Sequence, residues 1–199
     1  DQDLVYYDHQ MDMETCFEKY SFHEFKWHQT PNGDMEWIFM LNRQGYLVDL
    51  AVAFYITKEE KYLKKWKEIV FDFILENEEE ISHPEASWRV LDAGIRLMNW
   101  VKSLTYFPLS EFSEEEKKQI QEAMSLHANY ICTHLQEKHL LSNWGVLAVS
   151  GVLSFVYFSN EQPELYLWAK ETLLKQASLQ FTKMGLHWEQ SPLYHHQVV

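Results

Sequence analysis

SNWGVLAVSGVLSFVYF, residues 142–158, is the stretch on which the fold turns. Wound as a helix, it is apolar nearly all round through Val146, Leu147, Ala148, Val149, Val152, Leu153, Phe155 and Val156, so it has no broad face to give to water. The longest apolar run in it, 146–158, is interrupted by Ser150, Gly151 and Ser154 and falls short of the roughly 20 residues a membrane span needs. A helix of this kind has to be central, sandwiched between other helices.

The rest of the chain supplies them. Apolar residues recur at helical spacing over 36–57 (Trp37, Phe39, Leu41, Leu47, Leu50, Ala51, Phe54, Tyr55), and 58–75 continues as a second helix that folds back on the first. Pro84 and the polar run 78–85 mark a loop. Trp88, Leu91, Ile95, Leu97, Met98, Trp100, Val101 and Leu104 then outline a third helix. Ser113 with Glu116 three residues on is a capping box that opens a fourth, running to about residue 137. Another helix spans 163–184, with Gly185 as its stop, 186–188 as a short extended piece and a last helix beginning near Ser191. Residues 1–33 read as an arm with short helices, closed by the turn Pro31, Asn32, Gly33, and 34–199 as the helical domain. Six or seven helices with short connections predict an all-α fold of stacked antiparallel pairs: a toroid, a solenoid or a bundle.

Composition narrows the partners. With 46% hydrophobic and 16% aromatic residues the chain has enough apolar material for one sizeable core, and only six glycines and five prolines argue against an all-β fold. A net charge of −13 speaks against nucleic acid and anionic membrane surfaces, which need local excess of Lys and Arg. The two cysteines, Cys16 and Cys132, make no disulfide framework and no zinc spacing, and read as buried thiols. No cofactor or metal is called for.

The chemistry concentrates in the last third. Ser142, Asn143, Trp144 and Gly145 open one helix, and Glu189, Gln190, Ser191, Pro192, Leu193, Tyr194, His195 and His196 follow a turn. An amide, a carboxylate, a phenol and imidazoles are the parts needed to remove a proton beside a carbonyl or carboxylate. Each has a plainer reading: Asn143 as a helix cap, Tyr194 as a packed aromatic, Glu189 as a charge at a helix start, and Arg43 and Arg96 as partners in structural ion pairs. His195 and His196, adjacent on a helix, point in different directions, so one at most faces a given site. Of the tryptophans 27, 37, 88, 100, 144 and 188, most belong to the core, although any could offer a ring to a sugar. Asp92 and Glu189 are the acids a hydrolase would have to use.

Four blocks in order resemble the heparinase II/III group of polysaccharide lyases: Trp37, Ile38, Phe39, Met40, Leu41, Asn42 and Arg43 after the 31–36 turn; Trp88 with Asp92, Ala93, Gly94, Ile95, Arg96, Asn99 and Trp100; Ser142, Asn143 and Trp144; and 185–196. The resemblance implies an incomplete (α/α) toroid, truncated before an antiparallel β-sandwich domain and a further histidine. It also implies β-elimination across uronic-acid linkages of acidic glycans of the heparan sulfate, hyaluronan or alginate type. In that group the position of Asn143 neutralises the uronate carboxylate and that of Tyr194 transfers the proton. His195 can share that role, and Arg43, Arg96, Trp144, Glu189 and His196 are the candidates for holding substrate. A free phenol ionises near pH 10, so a base role for Tyr194 requires a cationic neighbour, with Arg43, Arg96, His195 and His196 as candidates. The resemblance favours a periplasmic or secreted protein over a cytoplasmic one. The competing readings are a hydrolase of uronic oligosaccharides and a glycan-binding module without catalysis.

Overall fold

The computed structural model describes residues 26–77, 81, 83–160 and 162–199, together with the backbone of two short strands, β1 (Leu4–Val5) and β2 (Tyr20–Ser21), which pair antiparallel with Leu4 opposite Ser21. Most of the expected N-terminal arm, Cys16 and Glu78 to Glu80 lie outside the described residues; the four residues described before residue 26 are those of the two strands. From there on the chain is helical: α1 (Met35–Arg43), α2 (Tyr46–Thr57), α3 (Glu60–Glu76), α4 (Pro84–Ser87), α5 (Val90–Leu104), α6 (Glu114–His134), α7 (Asn143–Ser159), α8 (Pro163–Gln180) and α9 (Pro192–Val198), with 3₁₀ turns at Leu109–Glu111 and Glu137–Leu141. The all-α reading holds.

The helices stack as hairpins. Helix α3 packs on α2, α6 on α5 and α8 on α7, while α2, α5 and α7 lie side by side. The end of α8 returns to the start of α7, where the Gln180 side-chain amide donates to the carbonyls of Leu140 (2.7 Å) and Ser142 (3.1 Å), so these two run antiparallel. Helices α5 and α7 run parallel: Arg89, which precedes α5, lies beside Trp144 in the first turn of α7, and Gly94 meets Ala148 and Gly151 one turn farther along. A sector of an (α/α) toroid has this layout, with parallel helices inside and their antiparallel partners outside. The apolar helix α7 is packed by α5, α6, α8 and α9, as its lack of a polar face requires.

At the α5–α7 crossing the backbones touch. A Cβ at Gly94 would meet the Cα of Ala148, and one at Gly151 would meet the carbonyl oxygen of Gly94, both at distances that real Cβ atoms do not show. Gly145 is packed as tightly against the carbonyl of His139 and the side chain of Gln176.

Two expected boundaries shift, each for a physical reason. The helix expected over 36–57 is broken, because Gln44 adopts a left-handed conformation (φ 53°). Gln44 is completely buried, and its Oε1 accepts from the Trp100 indole at 2.6 Å; this long-range bond decides the break. Helix α8 ends at Gln180 rather than 184, where its last side chain is drawn onto the α7 entrance. Gly185 (φ 79°) instead turns the tight loop that lets Phe181 bridge His187. The capping box at Ser113 and Glu116 is present as expected.

The core is built on rings and one guanidinium. Trp37, Trp66, Trp88 and Trp100 are fully buried. Arg96, equally buried, lies 4.3 Å over the Phe73 ring and 4.9 Å from that of Trp88. Its Nε donates to His127 Nε2 (2.8 Å) and its Nη1 to the carbonyls of Asn42 (2.7 Å) and Ser87 (2.9 Å). Burial draws its pKa down to about 9, opposed by the Asp92 carboxylate, so it stays charged at neutral pH.

His127 accepts from Arg96 at Nε2 and therefore donates from Nδ1 to the Ala123 carbonyl at 2.7 Å, as a neutral imidazole. Burial and, secondarily, the Arg96 charge hold its pKa well below the ordinary value. The unfolded chain then takes up the proton first. Stability is full above about pH 6.5 and falls as the pH drops toward the depressed value, by about 1.4 kcal/mol per pH unit from this group. His28 and His139, also lowered chiefly by burial, act with the same sign. Urea midpoints measured between pH 7 and 5 should decline steadily; a flat profile would contradict the neutral buried imidazole.

Candidate functional site

The site is assembled at the entrance of α7. Asn143 is the first helical residue, and the cap position belongs to Ser142, whose side chain makes no capping bond. The amide of Asn143 is thus free of the capping role and donates from Nδ2 to Gln197 Oε1 on α9 at 2.5 Å. No acidic residue occupies the first turn of α7, so no side-chain charge within the helix offsets the positive end of its dipole.

Helix α9 is started by Ser191, which accepts from the Tyr194 backbone N–H, with Pro192 in the first turn. Gln197, the residue that holds Asn143, lies three positions after Tyr194, on the same side of that helix. Tyr194 is 41% exposed, and its hydroxyl makes no hydrogen bond to another described residue. The Asn143–Gln197 bond joins the helix that carries Tyr194 to the start of α7.

Around them stand exposed rings. Trp144 (38% exposed) has the His139 ring on one side, nearly parallel at 6.4 Å, and the Arg89 guanidinium 5.1 Å away. Trp188, half exposed, is tied by its indole N–H to the Leu141 carbonyl at 2.6 Å. His139 accepts the Gln136 backbone N–H at Nδ1, which leaves Nε2 as its protonated nitrogen. Glu189, partly buried, has one carboxylate oxygen, Oε2, buried without a hydrogen-bond partner. Trp27, Trp37, Trp88 and Trp100 are core, as most were expected to be.

Four expected placements are corrected by the packing. Arg96 is enclosed in the core and out of reach of a glycan. Arg43 is almost as buried, its Nε donating to Asp92 Oδ1 at 2.7 Å; for both, the structural reading prevails over substrate binding. Asp92, fully buried, also accepts from Arg89 at Oδ2 (2.5 Å) and so has no role as a hydrolytic acid. His195 and His196 line one cavity together, of about 490 Å³, with Leu186, His187, Gln190, Ser191 and Pro192, instead of facing different surroundings. His195 lies against Phe181, at 5.9 Å between ring centres.

Two residues in the site were missed. Gln197 gave no signal, because its partner is 54 residues away. Arg89 could have been found: it follows Trp88 and precedes Asp92 by three, the spacing of a helical ion pair. Among the described residues no group of three or more His, Cys, Asp or Glu could hold a metal ion, and no helix is long and apolar enough to cross a membrane. Cys132 is half-buried rather than buried, and burial pushes its thiol up to about 11.

The family profile described as Heparinase II/III N-terminus matches residues 1–199. The chain belongs to the heparinase II/III family. Among its heparinase relatives, a heparin-sulfate lyase of Bacteroides thetaiotaomicron is 25% identical over 179 residues, which is 87% of this chain and 25% of the relative. Two solved structures share the fold. Heparinase III superposes with a TM-score of 0.74 at 20% identity, over 87% of this chain and 27% of the other. The heparan sulfate lyase HepC of Pedobacter heparinus gives 0.75 at 21%, over 94% and 30%. The chain thus spans about a quarter to a third of the heparinase relatives it matches.

Proposed function

We propose that this chain is the N-terminal part of the catalytic toroid of a lyase that cleaves a uronate-containing acidic glycan by β-elimination. The observation that carries the reading is the Asn143–Gln197 bond, which ties the helix that bears Tyr194 to the start of α7. Loss of the C5 proton next to a carboxylate builds a second negative charge. Asn143 has one amide hydrogen spent on Gln197 and one left for the carboxylate, and the uncapped α7 N-terminus adds favourable potential. Tyr194, exposed and with an uncommitted hydroxyl, exchanges the proton with substrate. Trp144 and Trp188 offer faces to sugar rings, and Glu189 an acceptor for a hydroxyl. His195 and His196, on the neighbouring cavity wall, hold the next part of the glycan.

The relatives named as heparin-sulfate and heparan sulfate lyases support this class of substrate, with heparan sulfate ahead of hyaluronan and alginate. The test is ultraviolet detection of unsaturated uronate when the full-length protein is given each of the three glycans. New absorbance on one of them names the substrate; none on any, with folded protein, sinks the elimination reading.

A further inference from the structure

The chain has three arginines, at 43, 89 and 96, within a net charge of −13. All three gather around one buried carboxylate: Arg43 and Arg89 bond the two oxygens of Asp92, and the same carboxylate acts on Arg96 through its charge. One negative charge set against two directly bonded guanidiniums leaves a positive charge unbalanced in a region of low dielectric, where it costs most. It can be presented to a ligand at only one of these residues, since Arg96 is enclosed and the Arg43 side chain is 9% exposed, half the 18% of Arg89.

Arg89 is also held ready. Its Nε is fixed by Asp92, and its Cζ lies 3.1 Å from the centre of the Phe39 ring and 5.1 Å from that of Trp144. Its two terminal nitrogens have no partner among the described residues, and a guanidinium immobilised on one edge and one face offers the other edge as a fork for a planar or tetrahedral oxyanion.

Resting on the reading of this site as a uronate-glycan cleft, we propose that Arg89 captures an acidic substituent, carboxylate or sulfate, of the sugar unit that lies against Trp144. It sets which charged unit stands next to the reacting one, in a protein whose overall field repels the polymer.

The test uses the full-length protein and reads binding, which needs no turnover, so it is separable from the elimination assay. Phenylglyoxal labelling with peptide mapping should modify Arg89 in the free protein. A heparan sulfate oligosaccharide should protect it and neutral dextran should not. Calorimetric affinity should fall on the order of 10- to 150-fold in Arg89→Gln, the span expected for a lost hydrogen bond to a charged group, and less in Arg89→Lys. Loss on both hyaluronan and heparan sulfate assigns the carboxylate, and loss on heparan sulfate alone assigns the sulfate. Equal labelling with and without acidic glycan, or affinity within twofold of the parent on every acidic glycan, overturns the proposal. The labelling arm stands even if the variants fail to fold.

Discussion

Tyr194→Phe in the full-length protein is expected to lower kcat by about 10³-fold, within the 10²- to 10⁴-fold span of a positioned proton-transfer group, and to leave KM nearly unchanged. The substitution removes one oxygen atom. That oxygen makes no hydrogen bond to a described residue, and the ring is 41% exposed, so folding loses little and the melting temperature should stay within a degree or two. Steady-state rates of unsaturated-product formation, read alongside a thermal melt, separate the two effects. A kcat within threefold of the parent would remove Tyr194 from the chemistry. A fall in kcat matched by a large fall in melting temperature would assign it to packing.

Arg96→Met should be among the most destabilising single changes in the described core, at about 3–5 kcal/mol, the range for removing one partner from a buried charged network. Methionine keeps much of the stem volume over Phe73 and Trp88 but strands three acceptors, the carbonyls of Asn42 and Ser87 and the Nε2 of His127. Those acceptors belong to α1, α4 and α6, so one side chain ties three helices to α5. With roughly 2–4 °C per kcal/mol for a chain of this size, the melting temperature should fall by roughly 6–20 °C. Arg96→Lys should recover little, because one ammonium cannot reproduce the fork. An unchanged melt in both variants would mean that the network contributes nothing net.

How much of this could be read beforehand differs by element. The helices were legible, since α3, α5 and α6 carry long apolar periods and α6 its capping box. The break inside 36–57 was not, because a glutamine mid-pattern carries no sign that a tryptophan 56 residues on will seize its side chain. Burial separated what residue type could not: Arg43, Arg89 and Arg96 are chemically alike, and only packing decides which one meets solvent. Asn143 and Tyr194 were named through resemblance, and their residue types alone permitted a cap and a packed ring. Gln197, the residue that relates one to the other, is an ordinary glutamine until α9 folds against α7.

The contact of Gly94 with Ala148 and Gly151 has a consequence for the reach of the cleft. Gly94 follows Arg89 by five residues and Ala148 follows Asn143 by five, so the crossing is the pivot of a pair of tongs whose tips are the guanidinium and the amide. The opening between those tips is set by two backbones in contact, with no side chain between them to yield. A single methyl at the pivot would spread the jaws, and under the glycan-cleft reading proposed above an inherited alanine there, out of sight of any sugar, would alter the spacing of charges the cleft accepts.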